Sequence, residues 1–79
     1  MRSLNAVKNG TECRVLWLIG RFGALVEDGC GIGLENRIRM IRNLGEGGVI
    51  VESGGRRFAL DRSSAYAVKV EVPVQNMCG

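Results

Sequence analysis

Residues 49–60 read VIVESGGRRFAL, and this stretch decides the fold class. Two β-prone runs flank Gly54-Gly55, a pair that easily adopts the positive φ angles of a two-residue type I′ turn. With these glycines as the loop, the facing pairs are Ser53/Arg56, Glu52/Arg57, Val51/Phe58, Ile50/Ala59 and Val49/Leu60. Because side chains alternate along a strand, one face then carries Val49, Val51, Phe58 and Leu60. The register predicts a hairpin in a small antiparallel β domain.

The size and composition of the chain are those of one small globular domain. It has 79 residues, of which 46% are hydrophobic and 24% charged. Glycine accounts for 12 residues, roughly twice the usual share of about 7%, which suggests short strands with tight corners. We predict one domain over residues 1–73, where Pro73 stops the last strand, and a flexible tail over residues 74–79.

Alternating polar and apolar residues predict three further strands, at residues 11–19, 37–42 and 67–72. In the first of them, the side chains expected to point inward are Cys13, Val15, Trp17 and Ile19. In the other two strands, the inward side chains are expected to be Ile38, Met40, Val68, Val70 and Val72. Leu4 and Val7 are spaced to hold the N-terminal segment on the same core.

Two short helical segments interrupt the strands. Phe22, Leu25 and Val26 lie at i, i+3 and i+4, which predicts a short helix over residues 22–28 with one apolar face, ended by the glycines that follow. Asp61 is expected to cap a single helical turn over residues 61–65. About five short antiparallel strands with one helical insertion fit a mainly β fold, a small SH3-like or OB-like barrel.

The sequence offers little for catalysis. The chain has no histidine, which removes the commonest general base and the usual activator of a Ser or Cys nucleophile. Glu27 and Asp28 are adjacent carboxylates, but neighbours on a helix point about 100° apart and rarely act as an acid/base pair. We therefore predict that the protein is not an enzyme.

The three cysteines show no Cys-x-x-Cys spacing, so a structural zinc site is disfavoured. Cys13 alternates with charged neighbours and is expected to fill core space, while Cys78 is expected to be an exposed tail thiol. Cys30 lies beside Glu27 and Asp28, where a thiolate and two carboxylates could meet a transition metal ion such as Fe(II). The alternative is that Cys30 is simply a small residue in a tight loop.

Eleven basic and eight acidic residues give the chain a net charge of +3. Six arginines could line one exposed surface and bind phosphates: Arg37, Arg39, Arg42, Arg56, Arg57 and Arg62. Single-stranded nucleic-acid binders usually add stacking aromatics, and here only Tyr66 lies near these arginines. A solvated polar face is therefore favoured over nucleic-acid binding.

The segment from Phe22 to Ile32 carries more apolar side chains than one small barrel obviously needs. Phe22, Leu25, Val26 and Ile32 are therefore candidates for a partner-binding patch. Packing in the core is the competing interpretation. Weak self-association is a further expectation.

The order and spacing of several short motifs resemble the ferrous iron transport protein A (FeoA) family from Ser3 to Val72. The opening Leu4-x-x-Val7-x-x-Gly10 looks like the family's L-x-x-L-x-x-G. The C-terminal match consists of Leu60, Ala65, Val68 and Val70, which reproduce an L-x4-A-x2-[IV]-x-V spacing. Asp28-Gly29 and Gly33 stand where the family's helix runs into a glycine-bounded loop, although Ile32 replaces the usual proline.

This resemblance implies an SH3-like barrel in the bacterial cytoplasm. Members are thought to act as accessory proteins of the membrane ferrous-iron transporter FeoB, through its cytoplasmic GTP-binding portion. Related SH3-like domains form the C-terminal module of iron-dependent repressors, so a metal-binding sensor remains an alternative. The longest apolar run, residues 15–19, cannot span a bilayer, and residues 1–10 contain no sustained apolar stretch, so we expect neither membrane insertion nor a secretion signal.

Overall fold

The computed structural model describes residues 2–72. In chain order the elements are β1 (Arg2–Ser3), a 3₁₀ turn (Leu4–Ala6), β2 (Glu12–Leu18), α1 (Gly20–Cys30), β3 (Arg37–Asn43), a second 3₁₀ turn (Gly45–Gly47), β4 (Val49–Ser53), β5 (Arg56–Leu60), α2 (Arg62–Ala67) and β6 (Val68–Glu71). Within these residues the strands form one antiparallel sheet in the order β1-β6-β2-β3-β4-β5. The predicted tail, with Cys78, lies outside the described residues.

The hairpin formed by β4 and β5 has the predicted register, from Ser53 opposite Arg56 to Val49 opposite Leu60. Its two loop residues have φ angles of 61° at Gly54 and 83° at Gly55, as a type I′ turn requires. The two-residue turn therefore determines the register of β4 against β5.

A sixth strand adds to the five that were predicted. Arg2 pairs with Val70 and Ser3 with Lys69, so β1 forms the edge beside β6. A strand of only two residues is too short to show alternation of polar and apolar side chains, so the sequence pattern could not reveal it. The prediction that Leu4 holds the N-terminal segment on the core is confirmed, because its side chain is fully buried.

Helix α1 is longer than the predicted segment 22–28. Gly29 does not stop it, and the helix instead ends at Gly31, which has a φ of 72° and donates its N–H to the carbonyl of Glu27. Near its start the helix lies against the end of β2, where a Cβ on Gly23 would come within 2.7 Å of the Leu18 carbonyl carbon. The absence of a side chain at this position permits the close packing.

A β-bulge reverses the faces of β2. Val15 pairs with Val70, but Trp17 pairs with Lys69, so one extra residue on β2 is accommodated between these pairs. After the bulge, Leu18 packs against the core, while Trp17 is 58% exposed and Ile19 is also exposed. The prediction that Trp17 and Ile19 point inward is therefore wrong, since strict alternation does not hold across the bulge.

One hydrophobic core joins the sheet, α1 and α2. Its members are Leu4, Val7, Cys13, Val15, Val26, Ile32, Ile38, Met40, Val49, Val51, Leu60, Ala65, Val68 and Val70. Phe58 is half-buried and packs against this cluster. Val51, Val68 and Val70 therefore share one interior, as expected, and Phe58 packs at its margin.

Helix α2 begins as the sequence predicts. The Asp61 carboxylate accepts a hydrogen bond from the Ser64 N–H at 2.8 Å, and this bond holds the pKa of Asp61 below its usual value. The helix then runs from Arg62 to Ala67, slightly beyond the predicted single turn.

Candidate docking site

An open groove of about 660 Å³ lies between the start of α1 and helix α2. We call it the inter-helix groove, and its lining residues are Asn5, Ile19, Gly20, Arg21, Phe22, Arg62, Ser63, Tyr66 and Ala67. The apolar side chains of Ile19, Phe22 and Tyr66 are all exposed there. Exposed apolar side chains collected in a concave surface are typical of a binding site.

The two walls of the groove are tied together by backbone contacts. The Ile19 N–H donates to the Ala67 carbonyl at 2.9 Å, which joins the end of β2 to the end of α2. Gly20, with a φ of 64°, then turns the chain into α1. These backbone features fix the end of β2, the start of α1 and the end of α2 relative to one another, and so fix the position of the groove.

Tyr66, at the groove, contacts a lysine of the neighbouring strand β6. The Lys69 Nζ lies 3.7 Å from the centre of the Tyr66 ring, a cation–π contact, and donates to the Ser3 hydroxyl at 2.5 Å. Trp17 lies opposite Lys69 in the pairing of β2 with β6. The exposed Trp17 therefore flanks the same lysine that covers Tyr66.

The groove is positively charged. Arg21 and Arg62 contribute to its lining, and none of the described residues that line it is acidic. Arg62 forms an ion pair with Glu46 at 3.8 Å, but both side chains are exposed and water screens the attraction. An incoming carboxylate can therefore compete with Glu46 for Arg62 at low cost.

The structure separates the four residues predicted to bind a partner. Phe22 and Leu25, three residues apart on α1, are exposed, whereas Val26 and Ile32 are only 2% and 1% exposed. The buried stripe of α1 runs through Gly23 and Val26, and Phe22 and Leu25 lie about 100° around the helix from it. Val26 and Ile32 are core residues, so the prediction that they contact a partner is corrected.

The predicted metal site at Cys30, Glu27 and Asp28 is not assembled. Cys30 packs against the core, and burial raises the pKa of its thiol, whereas the two acidic side chains are exposed. Within residues 2–72, no three side chains of the His, Cys, Asp and Glu types lie together in an arrangement that could hold a metal ion. On α1, Glu27 and Cys30 are three residues apart and share a side of the helix, but Asp28 points about 100° away from Glu27, so the three groups do not converge.

The arginines of the sheet do not form a purely basic surface. Across the strands the register places Glu12 opposite Arg39, Arg39 opposite Glu52 and Glu52 opposite Arg57. Opposite charges alternate along this row, and such an arrangement does not favour a phosphate backbone. Arg62 lies elsewhere, at the inter-helix groove.

Sequence reasoning missed Trp17, Ile19 and Arg21 as site residues. The only available signal was the run from Leu16 to Ile19, which is apolar on both faces of a strand. An apolar residue on the solvent face is a candidate contact, but the bulge that exposes Trp17 is not visible in the sequence.

Comparison with known proteins identifies the fold. No protein-family model and no curated protein matches the chain. Among solved structures, the FeoA-like protein from Clostridium acetobutylicum superposes with a TM-score of 0.82 and 20% identity, over 95% of this chain and 90% of the other. The iron uptake regulatory protein FeoA gives a TM-score of 0.77 and 22% identity, over 89% of this chain and 93% of the other.

A third solved structure is the zinc complex of Stenotrophomonas maltophilia FeoA, described as a prokaryotic SH3 domain protein. Its TM-score is 0.70 with 23% identity, over 90% of this chain and 91% of the other. The chain thus has the SH3-like fold of the FeoA proteins, and the resemblance seen in the sequence is confirmed at the level of the fold. Among residues 2–72, no helix is long and apolar enough to cross a membrane.

Proposed function

We propose that this chain, with the fold of the FeoA proteins, is a non-enzymatic accessory protein of bacterial ferrous iron uptake. It docks on the cytoplasmic GTP-binding part of a FeoB-type transporter through the inter-helix groove and the adjoining exposed face of α1. The proposal places the protein in the cytoplasm, where this part of the transporter lies.

The observation that carries the proposal is the exposed apolar surface beside a well-packed core. Phe22 and Leu25 are exposed on α1, although the chain has a separate buried stripe for its core. Side chains of this kind gain free energy when a partner removes them from water, about 25 cal/mol for each Å² buried. The SH3-like fold supports the same interpretation, because it is shared with an iron uptake regulatory protein.

Calorimetry with the purified GTP-binding domain of the transporter from the same organism tests the proposal. Leu25→Asp and Phe22→Asp each place a charge in the apolar surface, and we expect each to weaken binding at least roughly tenfold, the equivalent of about 1.4 kcal/mol. Leu34→Asp is the matched control, because Leu34 is 59% exposed, like Leu25 at 57%, but follows α1 in the loop and belongs neither to the groove nor to the exposed face of α1.

Circular dichroism first establishes that all three variants keep the wild-type fold. A complex that tolerates Leu25→Asp and Phe22→Asp as well as Leu34→Asp would show that this surface is not the docking site. A wild-type protein with no measurable affinity for the GTP-binding domain would refute the proposed partner.

A further inference from the structure

We infer that the segment held in the inter-helix groove is an amphipathic α-helix of the partner, with apolar anchors flanked by carboxylates. The inference rests on the proposed function and adds the chemistry of the recognised segment. It follows from the position of the groove in the fold and from the charges around it.

The position of the groove excludes recognition by strand addition. A peptide that joins a sheet needs the free backbone of an edge strand, and the edges here are β1 and β5. The groove is instead walled by α1 and α2, and the Ile19 N–H is already bonded to Ala67. A groove between two helices suits a bound helix, which inserts apolar anchors at i, i+3 and i+4.

Three basic side chains and the start of a helix supply positive charge around these apolar side chains. Arg21 and Arg62 line the groove, and Lys69 lies over the adjoining ring of Tyr66. Helix α1 also begins in the groove, with no side-chain cap at Ile19 and no acidic residue in its first turn. Its N-terminal partial charge therefore adds to that of the arginines, and carboxylates beside the apolar anchors would complement this field.

A single-stranded nucleic acid fits the same surface less well. Bases stack on free aromatic faces, and here one face of Tyr66 is covered by the Lys69 ammonium group at 3.7 Å, which leaves the exposed Phe22 and Trp17. Ile19 and Leu25 contribute exposed aliphatic area, which bases do not use for stacking. Burial of these side chains favours an apolar protein face with acidic neighbours.

Charge-reversal pairs with equal net charge test the inference. Arg21→Glu/Arg62→Glu removes the positive charge of the groove, while Arg42→Glu/Arg56→Glu makes the same net change at exposed sites on β3 and β5. Binding to the GTP-binding domain is measured at about 0.05 M and about 0.5 M NaCl, since ionic strength screens exposed charges. We expect the groove pair to weaken binding at least roughly tenfold at low salt and to reduce its salt dependence, and the control pair to change the affinity less than about twofold.

Overlapping synthetic peptides that cover the GTP-binding domain identify the segment. We expect one peptide with clustered Asp or Glu to bind the wild-type protein, to gain helical circular dichroism on binding and to lose affinity for Arg21→Glu/Arg62→Glu. A peptide that binds without becoming helical, or equal losses for the two charge-reversal pairs, would overturn the inference.

Failure of the inference can be told apart from failure of the proposed function. If Leu25→Asp weakens the complex but the groove charge pair does not, docking stands and the acidic segment is refuted. If a fluorescent oligonucleotide of fifteen thymidines binds and Arg21→Glu/Arg62→Glu abolishes that binding, the surface recognises nucleic acid and the inference fails.

Discussion

Gly48 allows the connection after β3 to pass directly under the end of β5. Its φ of 95° and ψ of −157° lie in a region that is essentially restricted to glycine. A Cβ at this position would lie 3.1 Å from the Asp61 Cα and 3.2 Å from the Leu60 carbonyl carbon, and closer still to the Leu60 carbonyl oxygen. Because these are backbone atoms, no side-chain rotation can relieve the clash. Gly48→Ala must therefore displace the end of β5.

The expected loss is a large part of the stability of the domain. The strained backbone contributes about 1–3 kcal/mol, and overpacking against a rigid neighbour contributes about 1–3 kcal/mol. Together these terms give roughly 2–6 kcal/mol, against a total of roughly 4–12 kcal/mol for a domain of this size. Gly45→Ala is the matched control, because Gly45 also has a positive φ, 66°, but apart from its chain neighbours no atom of residues 2–72 lies within 4 Å of its added Cβ.

Urea denaturation followed by far-ultraviolet circular dichroism measures both free energies of unfolding. Tryptophan fluorescence is a weaker probe, since Trp17 is already exposed in the folded protein. We expect Gly45→Ala to cost about 1–2 kcal/mol and Gly48→Ala to cost clearly more. Equal losses in the two variants would refute the close approach of Gly48 to Leu60 as the reason for the glycine.

Burial raises the pKa of the Cys13 thiol from 9.0 to about 11. In a Cys30→Ser/Cys78→Ser background at pH 8, native Cys13 should therefore resist a maleimide that modifies it in urea. Folding favours the neutral Cys13 thiol, and this adds to the free energy of unfolding in full below pH 9. The added free energy, about 2–3 kcal/mol, is lost as the pH rises toward 11. The same pH-dependent loss of stability in Cys13→Ala would contradict this. Asn43→Ala removes the amide that donates to the carbonyls of Asn5 and Val7, each at 2.9 Å, and should lower the free energy of unfolding by about 1–3 kcal/mol in urea titrations.

The sequence alone determined the features that depend on neighbouring residues. Gly54-Gly55 specifies a turn, and a two-residue turn permits one register, so the β4–β5 pairing could be read from twelve residues. Asp61 likewise specifies the start of α2, because an N-cap acts within three residues. Leu4 and Val68 are buried as their spacing suggests, since an aliphatic side chain gains free energy in any available core.

Tertiary structure decided the location of the candidate site. The bulge in β2 depends on how that strand pairs with β6, and a single extra residue moves Trp17 from the expected core to the surface. The choice between Val26 and Leu25 as the buried residue of α1 depends on which side of the helix meets the sheet. The groove itself combines Ile19 with Tyr66, two residues far apart in sequence that become neighbours only when the chain folds. Long-range pairing sets these features, and local preferences do not encode it.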